Sequence, residues 1–289
     1  MTNTNGVTTG FSLLWRAPDR VPQPPDFDKM HSAAKGAPRG KAADETQITS
    51  ADLRNAADRW QATAIRILIG GATDDSISAA ANSVVDAGAG DDTVTVGEKS
   101  FVDGGAGDDT IGAWSDSVIY GGEGNDDIKA WSETHIEGGA GNDVIDAWSD
   151  NYVDGGTGDD TIVVHSGSVV IGGKGNDTIG IGTDSTVRFA AGDGQDNIWT
   201  LRDGRIEFGE GLNADKMRVE HKDGKTIISF DGHPDDSVTI NGFYRTFAVS
   251  FADGSSQQIE RPVDHEAQAA LIARFNANKD KPIPPFATR

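Results

Sequence analysis

Six pairs of adjacent oxygen-bearing side chains recur at one interval through the middle of the chain: Asp91-Asp92, Asp108-Asp109, Asn125-Asp126, Asn142-Asp143, Asp159-Asp160 and Asn176-Asp177. The step is 17 residues each time, and Asp196 follows the last pair after 19. The chain has no cysteine, so thiolate sites and disulfides are excluded. What remains is oxygen chemistry. Carboxylates and amides in a glycine turn suit a hard cation that accepts six to eight oxygens at irregular angles, which favours Ca²⁺ over the strictly octahedral Mg²⁺.

The charge distribution sharpens this. Of 46 acidic residues, 25 lie between residues 70 and 200 with only Lys99, Lys129, Lys174 and Arg188 among them, while the rest of the chain carries 21 of each sign. The whole net charge of −21 therefore belongs to the repeat. A block of this sign repels nucleic acid backbone and attracts counter-cations. If the repeats stack, carboxylates stand one rung apart, and like charges at that distance oppose each other by about 1 kcal/mol per pair even in water. Such a ladder closes only around cations. The opposing reading, a solvated acidic turn with no ion, does not explain why glycines stay in register with two acids.

The elements that hold these pairs follow from the same period. Second glycines fall at Gly71, Gly88, Gly105, Gly122, Gly139, Gly156 and Gly173, with an eighth copy at Gly192. A fixed period of this length predicts a solenoid. Two residues after each second acid sits an aliphatic (Ile77, Val94, Ile111, Ile128, Ile145, Ile162, Ile179), and two further on a second small apolar residue, an alternation that predicts a strand with one face inward. After a polar corner such as Trp114-Ser115-Asp116-Ser117 comes another aliphatic column, Val85, Val102, Ile119, Ile136, Val153, Val170 and Val187. Each unit is one coil of two short strands.

The turns resemble the glycine-rich nonapeptide of RTX, or haemolysin-type, calcium-binding proteins, most fully in Gly104-Gly-Ala-Gly-Asp-Asp-Thr-Ile and Gly138-Gly-Ala-Gly-Asn-Asp-Val-Ile. The resemblance covers about 130 residues. It implies a parallel β-roll with Ca²⁺ between turns of consecutive coils. It also implies the ligands: carbonyls of the first motif position (Gly104, Gly121, Gly138, Gly155, Gly172) and the third (Ala106, Glu123, Ala140, Thr157, Lys174), and the fifth-position side chain (Asp91, Asp108, Asn125, Asn142, Asp159, Asn176). The sixth-position Asp (Asp92, Asp109, Asp126, Asp143, Asp160, Asp177, with Asp196 in the last copy) comes from the neighbouring turn. A representative site joins Gly121, Glu123 and Asn125 to Asp143. The family's coil carries two motifs in 18 residues, whereas this one carries one in 17, so calcium is expected on one edge alone. Thr73 replaces a glycine in the first copy, and about five to seven ions are expected.

The expected fold is thus all-β: a parallel β-roll or β-solenoid of about eight coils over 70–200, capped at both ends. Residues 1–45, with Pro-Gln-Pro-Pro at 22–25, read as a disordered arm. Residues 46–69 read as a capping helix, with Leu53, Ala56, Ala57, Trp60 and Ala64 at helical spacing, leading into the first strand. Residues 201–289 read as an antiparallel β cap, a helix over 264–276 and a tail. The segments Gly192 to Ile198, 205–209 and 236–240 also resemble the region that follows the repeats in that family, and the family resemblance implies a secreted protein, exported by type I secretion without a cleaved signal peptide. No apolar run has the length of a membrane span.

A second constellation is aromatic. Trp114, Trp131 and Trp148 form a column continued by His165, with Phe101, His135 and Tyr152 four residues along in the coil. The row either binds sugar rings or a protein partner, or shields a thin core from water. No HExxH, no helical His pair and no Gly-x-Ser-x-Gly elbow is present, which leaves a hydrolase without support. Three classes then compete: a noncatalytic calcium-built structural or binding module, a calcium-dependent protein that binds or modifies extracellular polysaccharide or a surface protein, and an ice-binding solenoid. The third-position variation among Ala, Glu, Thr and Lys counts against the last.

Overall fold

The structure is a computed structural model that describes residues 46–48, 65–200, 204–241 and 246–260. The expected arm over 1–45, the helical part of the N-terminal cap and the helix over 264–276 lie outside the described residues. Within them the chain is all-β with no helix, wound into two parallel sheets.

Each coil contributes one strand to each sheet. In one central coil Val118–Glu123 belongs to the first sheet, a glycine turn follows, and Asp127–Ser132 belongs to the second. Pairing runs in register at the 17-residue step: Ile119 against Ile136 against Val153 in the first sheet, Ile128 against Ile145 against Ile162 in the second. The reason is the pleat, because a slip by one residue would turn every aliphatic into solvent. The inward columns, including Ile111 to Ile179, Ile119 to Val187 and the small Ala113, Ala130 and Ala147, are buried and form one continuous core.

Both ends depart from the repeat. At the start, Thr46–Ile48 pairs antiparallel with Ile65–Gly71, covering the first rung's edge with a strand. At the far end the sequence predicts antiparallel closure, and the structure corrects part of it. Arg205–Phe208 and Thr246–Phe251 extend the first sheet in parallel, and Ser237 to Asn241 extends the second beside Gln195–Thr200. Antiparallel pairing joins Met217–Lys222 to Lys225–Phe230, Lys225–Phe230 to His233–Asn241 and Thr246–Phe251 to Ser256–Glu260. The glycines stop, yet the inward alternation of Ile206, Phe208, Val238, Ile240, Val249 and Phe251 does not, so the ladder continues. Phe208 packs against Phe189, Phe230 and Phe251, a wide plug where the upstream core is Val, Ile and Ala. The last glycine turn is closed by Asp236, whose Oδ2 accepts the Gly192 N–H at 2.9 Å.

Candidate metal centre

Along the glycine edge the two acids of each pair behave oppositely. Sixth-position carboxylates point inward and are 0 to 2% exposed from Asp92 to Asp196. Each reaches back to the preceding coil: Asp126 Oδ1 accepts the Asp109 N–H, Asp143 that of Asp126 and Asp160 that of Asp143, all at 2.8 Å. Fifth-position side chains stay outside and are reached from the following coil, as where Asn142 N–H donates to Asn125 Oδ1 at 2.8 Å and Asn125 N–H to Asp108 Oδ1 at 2.7 Å. Both residues lie in the turn between strands, where the fifth side chain is left outside and the sixth is turned into the roll.

The second oxygen of the inner row is the unusual one. Oδ2 of Asp92, Asp109, Asp126, Asp143, Asp160 and Asp177 is buried with no hydrogen-bond partner. A buried acceptor left bare costs about 1 to 3 kcal/mol, and more when charged. Each of these oxygens from Asp109 to Asp160 meets the first-position carbonyl of the following coil. A β-carbon placed on Gly121 would collide with both Asp126 Oδ2 and the Gly138 carbonyl oxygen, and the same holds at Gly104, Gly138 and Gly155. The missing side chain leaves a cradle that two oxygens enter. Gly122 and Gly124, at φ 122° and 125°, adopt a backbone that other residues rarely reach and lie against the carbonyls of Gly105 and Gly107.

The ends of the row are less complete. Ala87 stands in the first position of the coil bearing Asp92, so a methyl group takes the place of the hollow. At Gly172 the closest approaches all come from the Asp177 side chain. The sequence reading places glycines at this position generally and passes over Ala87.

The expected ligands therefore meet as follows. The Gly121 carbonyl approaches the free oxygen of Asp109, one coil earlier, while Asp143 reaches the Asn125 coil through Oδ1. Third-position carbonyls of Ala106, Glu123, Ala140, Thr157 and Lys174 each accept a glycine N–H from the preceding coil at 2.8 Å, leaving one lone pair apiece. Among the described residues no three His, Cys, Asp or Glu side chains gather into one cluster. Each gap instead offers carboxylate, carbonyl and amide oxygens, the donor set of Ca²⁺.

Electrostatics agree with the geometry. Burial, reinforced by neighbouring carboxylates, pushes Asp109 and Asp177 up to about 6, Asp126 and Asp160 to about 7 and Asp196 to about 8, against a partial lowering from their backbone hydrogen bonds. Asp92 and Asp143 are raised for the same leading cause.

The opposite edge solves the same stacking problem without charge. Ser83, Ser100, Ser117, Thr134, Asn151, Ser168 and Ser185 form a second buried polar column. The Ser100 N–H donates to Ser117 Oγ, Thr134 to Asn151 Oδ1 and Asn151 to Ser168 Oγ. The hydroxyls in turn donate to carbonyls two residues back, as Ser168 does to Ser166 at 3.0 Å. The residue before each, including Lys99, Asp116, Glu133 and Asp150, has φ near 60° and turns the serine inward. The sequence signal was present in the seventeen-residue recurrence of Ser, Thr or Asn, but it reads as a solvated corner.

The aromatic constellation divides between the sheets. Trp114, Trp131 and Trp148 lie on the outward face of the second sheet, 57, 46 and 49% exposed, so they do not shield the core. Phe101, His135 and Tyr152 lie across the corner on the first sheet, with His135 stacked on Tyr152 and bonded to Glu137, and form no part of that row.

Comparison with known proteins agrees with the central coils. Residues 100–117, 115–132 and 134–162 match the model of the RTX calcium-binding nonapeptide repeat, in four copies. These residues include Asp109, Asp126, Asp143 and Asp160, the four with complete cradles. No curated protein matches the chain. Among solved structures the chain is similar to the extracellular lipase LipA from Serratia marcescens, at 17% identity and a TM-score of 0.31, over 62% of this chain and 38% of that one.

Proposed function

We propose that this chain, whose central coils carry RTX calcium-binding repeats, is a secreted noncatalytic module that acquires its β-roll by binding a row of Ca²⁺ ions. The observation that carries this reading is the row of six buried, unpartnered Oδ2 atoms. Bound calcium supplies positive charge and open coordination positions. The chain supplies Asp109, Asp126, Asp143 and Asp160, the first-position carbonyls beside them, and the outer Asp108, Asn125, Asn142 and Asp159. Four sites are complete and the Asp92 and Asp177 ends are weaker, giving a stoichiometry of four to six.

Binding energy here is folding energy, as in other metal-built domains. Such a protein is at home outside the cell, where calcium reaches the millimolar range that weak extracellular modules use. Type I secretion suits a chain that stays unfolded until it meets that calcium. The test is far-ultraviolet circular dichroism with calorimetric Ca²⁺ titration of the full chain. The β signal should be small in EDTA at pH 7.5 and appear with four to six ions bound; a full β signal in EDTA, unchanged by calcium, would sink the reading.

A further inference from the structure

The outward face of the second sheet carries a feature that the metal row does not use. Trp114, Trp131 and Trp148 stack at centroid separations of 5.5 and 5.6 Å with planes 18° and 6° apart, and His165 continues the stack at 4.6 Å. Rungs are about 4.8 Å apart, whereas carbon surfaces in contact need only about 3.5 to 4 Å. Near-parallel rings on such rungs must lean and overlap like shingles, leaving a strip of each face open, and roughly half-exposure of each indole agrees. The strip ends where the column meets Gly97 and Gly182, both pressed against backbone of the preceding coil. Its four rungs are the coils of Asp109, Asp126, Asp143 and Asp160.

Beside the indoles runs a hollow of about 280 Å³, opened by Gly112 between Thr95 and Lys129 and continuing to Asp146. It therefore offers an apolar wall, a hydroxyl, an ammonium and a carboxylate. Lys129 is bonded to Asp127, and His165 lies 3.5 Å from Asp146. With Lys129 engaged by Asp127, and a chain charge of −21 that stays negative after four to six Ca²⁺ are added, a polyanion or a second copy of the chain is repelled.

We infer that this strip and its hollow form a binding site for a linear, uncharged glycan lying along the solenoid axis. Three properties favour that occupant. Aromatic faces beside paired donors and acceptors match the apolar face and hydroxyl rim of a pyranose. The indole faces of Trp114, Trp131 and Trp148 repeat once per rung, and one sugar ring spans a comparable length, so successive rings meet successive indoles while the side chains of the hollow differ from rung to rung. An extended peptide advances about 3.3 Å per residue and falls out of step. The inference rests on the calcium-built fold, since calcium holds these four rungs in register.

The test is calorimetry on the full calcium-loaded chain against hexasaccharides of β-1,4-glucan, β-1,4-xylan and β-1,3-glucan, with polyuronate and polylysine as charged probes. One neutral series should bind with little salt dependence. Trp131→Ala should weaken it at least about tenfold, as should Gly112→Leu, which fills the hollow at a position where an added β-carbon meets nothing closer than 3.9 Å. Trp199→Ala, an exposed tryptophan three rungs beyond Asp146 and outside the four-rung strip, should change nothing. Circular dichroism in calcium separates lost binding from lost fold, and failure of the parent chain to respond to calcium would count against the metal reading instead. Absence of any neutral binder, unchanged binding by both strip variants, or Trp131-dependent binding of polylysine alone overturns the inference.

Discussion

Asp126 shows how one residue can oppose the fold and then complete it. Its Oδ1 holds a neighbour's backbone while its Oδ2 has no partner, and burial pushes the acid up to about 7. A carboxyl raised in the folded state binds protons more tightly there than in the unfolded chain. Its stabilising contribution is therefore full below about pH 4 and is lost as pH rises through 6 to 8. In EDTA the chain should gain β signal between pH 8 and pH 4.5, while calcium affinity, which requires the same oxygens bare, should fall over that interval; circular dichroism and calorimetry read the two trends. Asp126→Asn should cost one bound ion yet raise the β signal in EDTA, because the buried anion is gone. Ala87→Gly should open the hollow at Asp92 and add one ion to the titration; an unchanged count would show that the methyl group is no obstacle. Ala87 is legible once the period is written out, but its effect is not, because only the stacked coils reveal what a methyl displaces.

At the level of the coil, the two corners do the same work by different means. One side leaves the Oδ2 atoms of its Asp row without a partner, and the other is satisfied internally by Ser, Thr and Asn. Removing Ser117 Oγ leaves the Ser100 N–H bare, so Ser117→Ala should lose about 1 to 3 kcal/mol in chemical denaturation of the calcium-loaded protein without altering ion number. Much of the coil could be read in advance. The strand alternation, the inward Ile and Val columns and the one-sided placement of acids all follow from the 17-residue period. The inner serines could not, since a serine in sequence looks solvated whether or not a left-handed neighbour turns it inward. The same limit hid the directions of the fifth residue, Asp or Asn, and the sixth, always Asp, of which one stays outside and the other is buried. Past Thr200 the glycine signal vanishes and pairing then depends on contacts distant in sequence, which is why the parallel continuation through Arg205–Phe208 and Thr246–Phe251 was missed.

For the molecule as a whole, a stack in which each coil touches only its neighbours has stability close to a sum over rungs and the gaps between them. Central rungs should be the last to open. Ile136→Ala, in the fully buried column of the first sheet, should cost about 2 to 5 kcal/mol in the calcium form, measured as a shift in denaturant midpoint. The four coils that carry complete cradles also carry the aromatic strip, and that overlap joins two equilibria. Anything that favours the ordered strip favours the ordered cradles, and free energies of binding are reciprocal. A glycan seated on Trp114, Trp131 and Trp148 should tighten calcium binding by the same factor that calcium tightens the glycan. On the proposed reading, such a surface would report the ion concentration of its surroundings through its grip on the ligand.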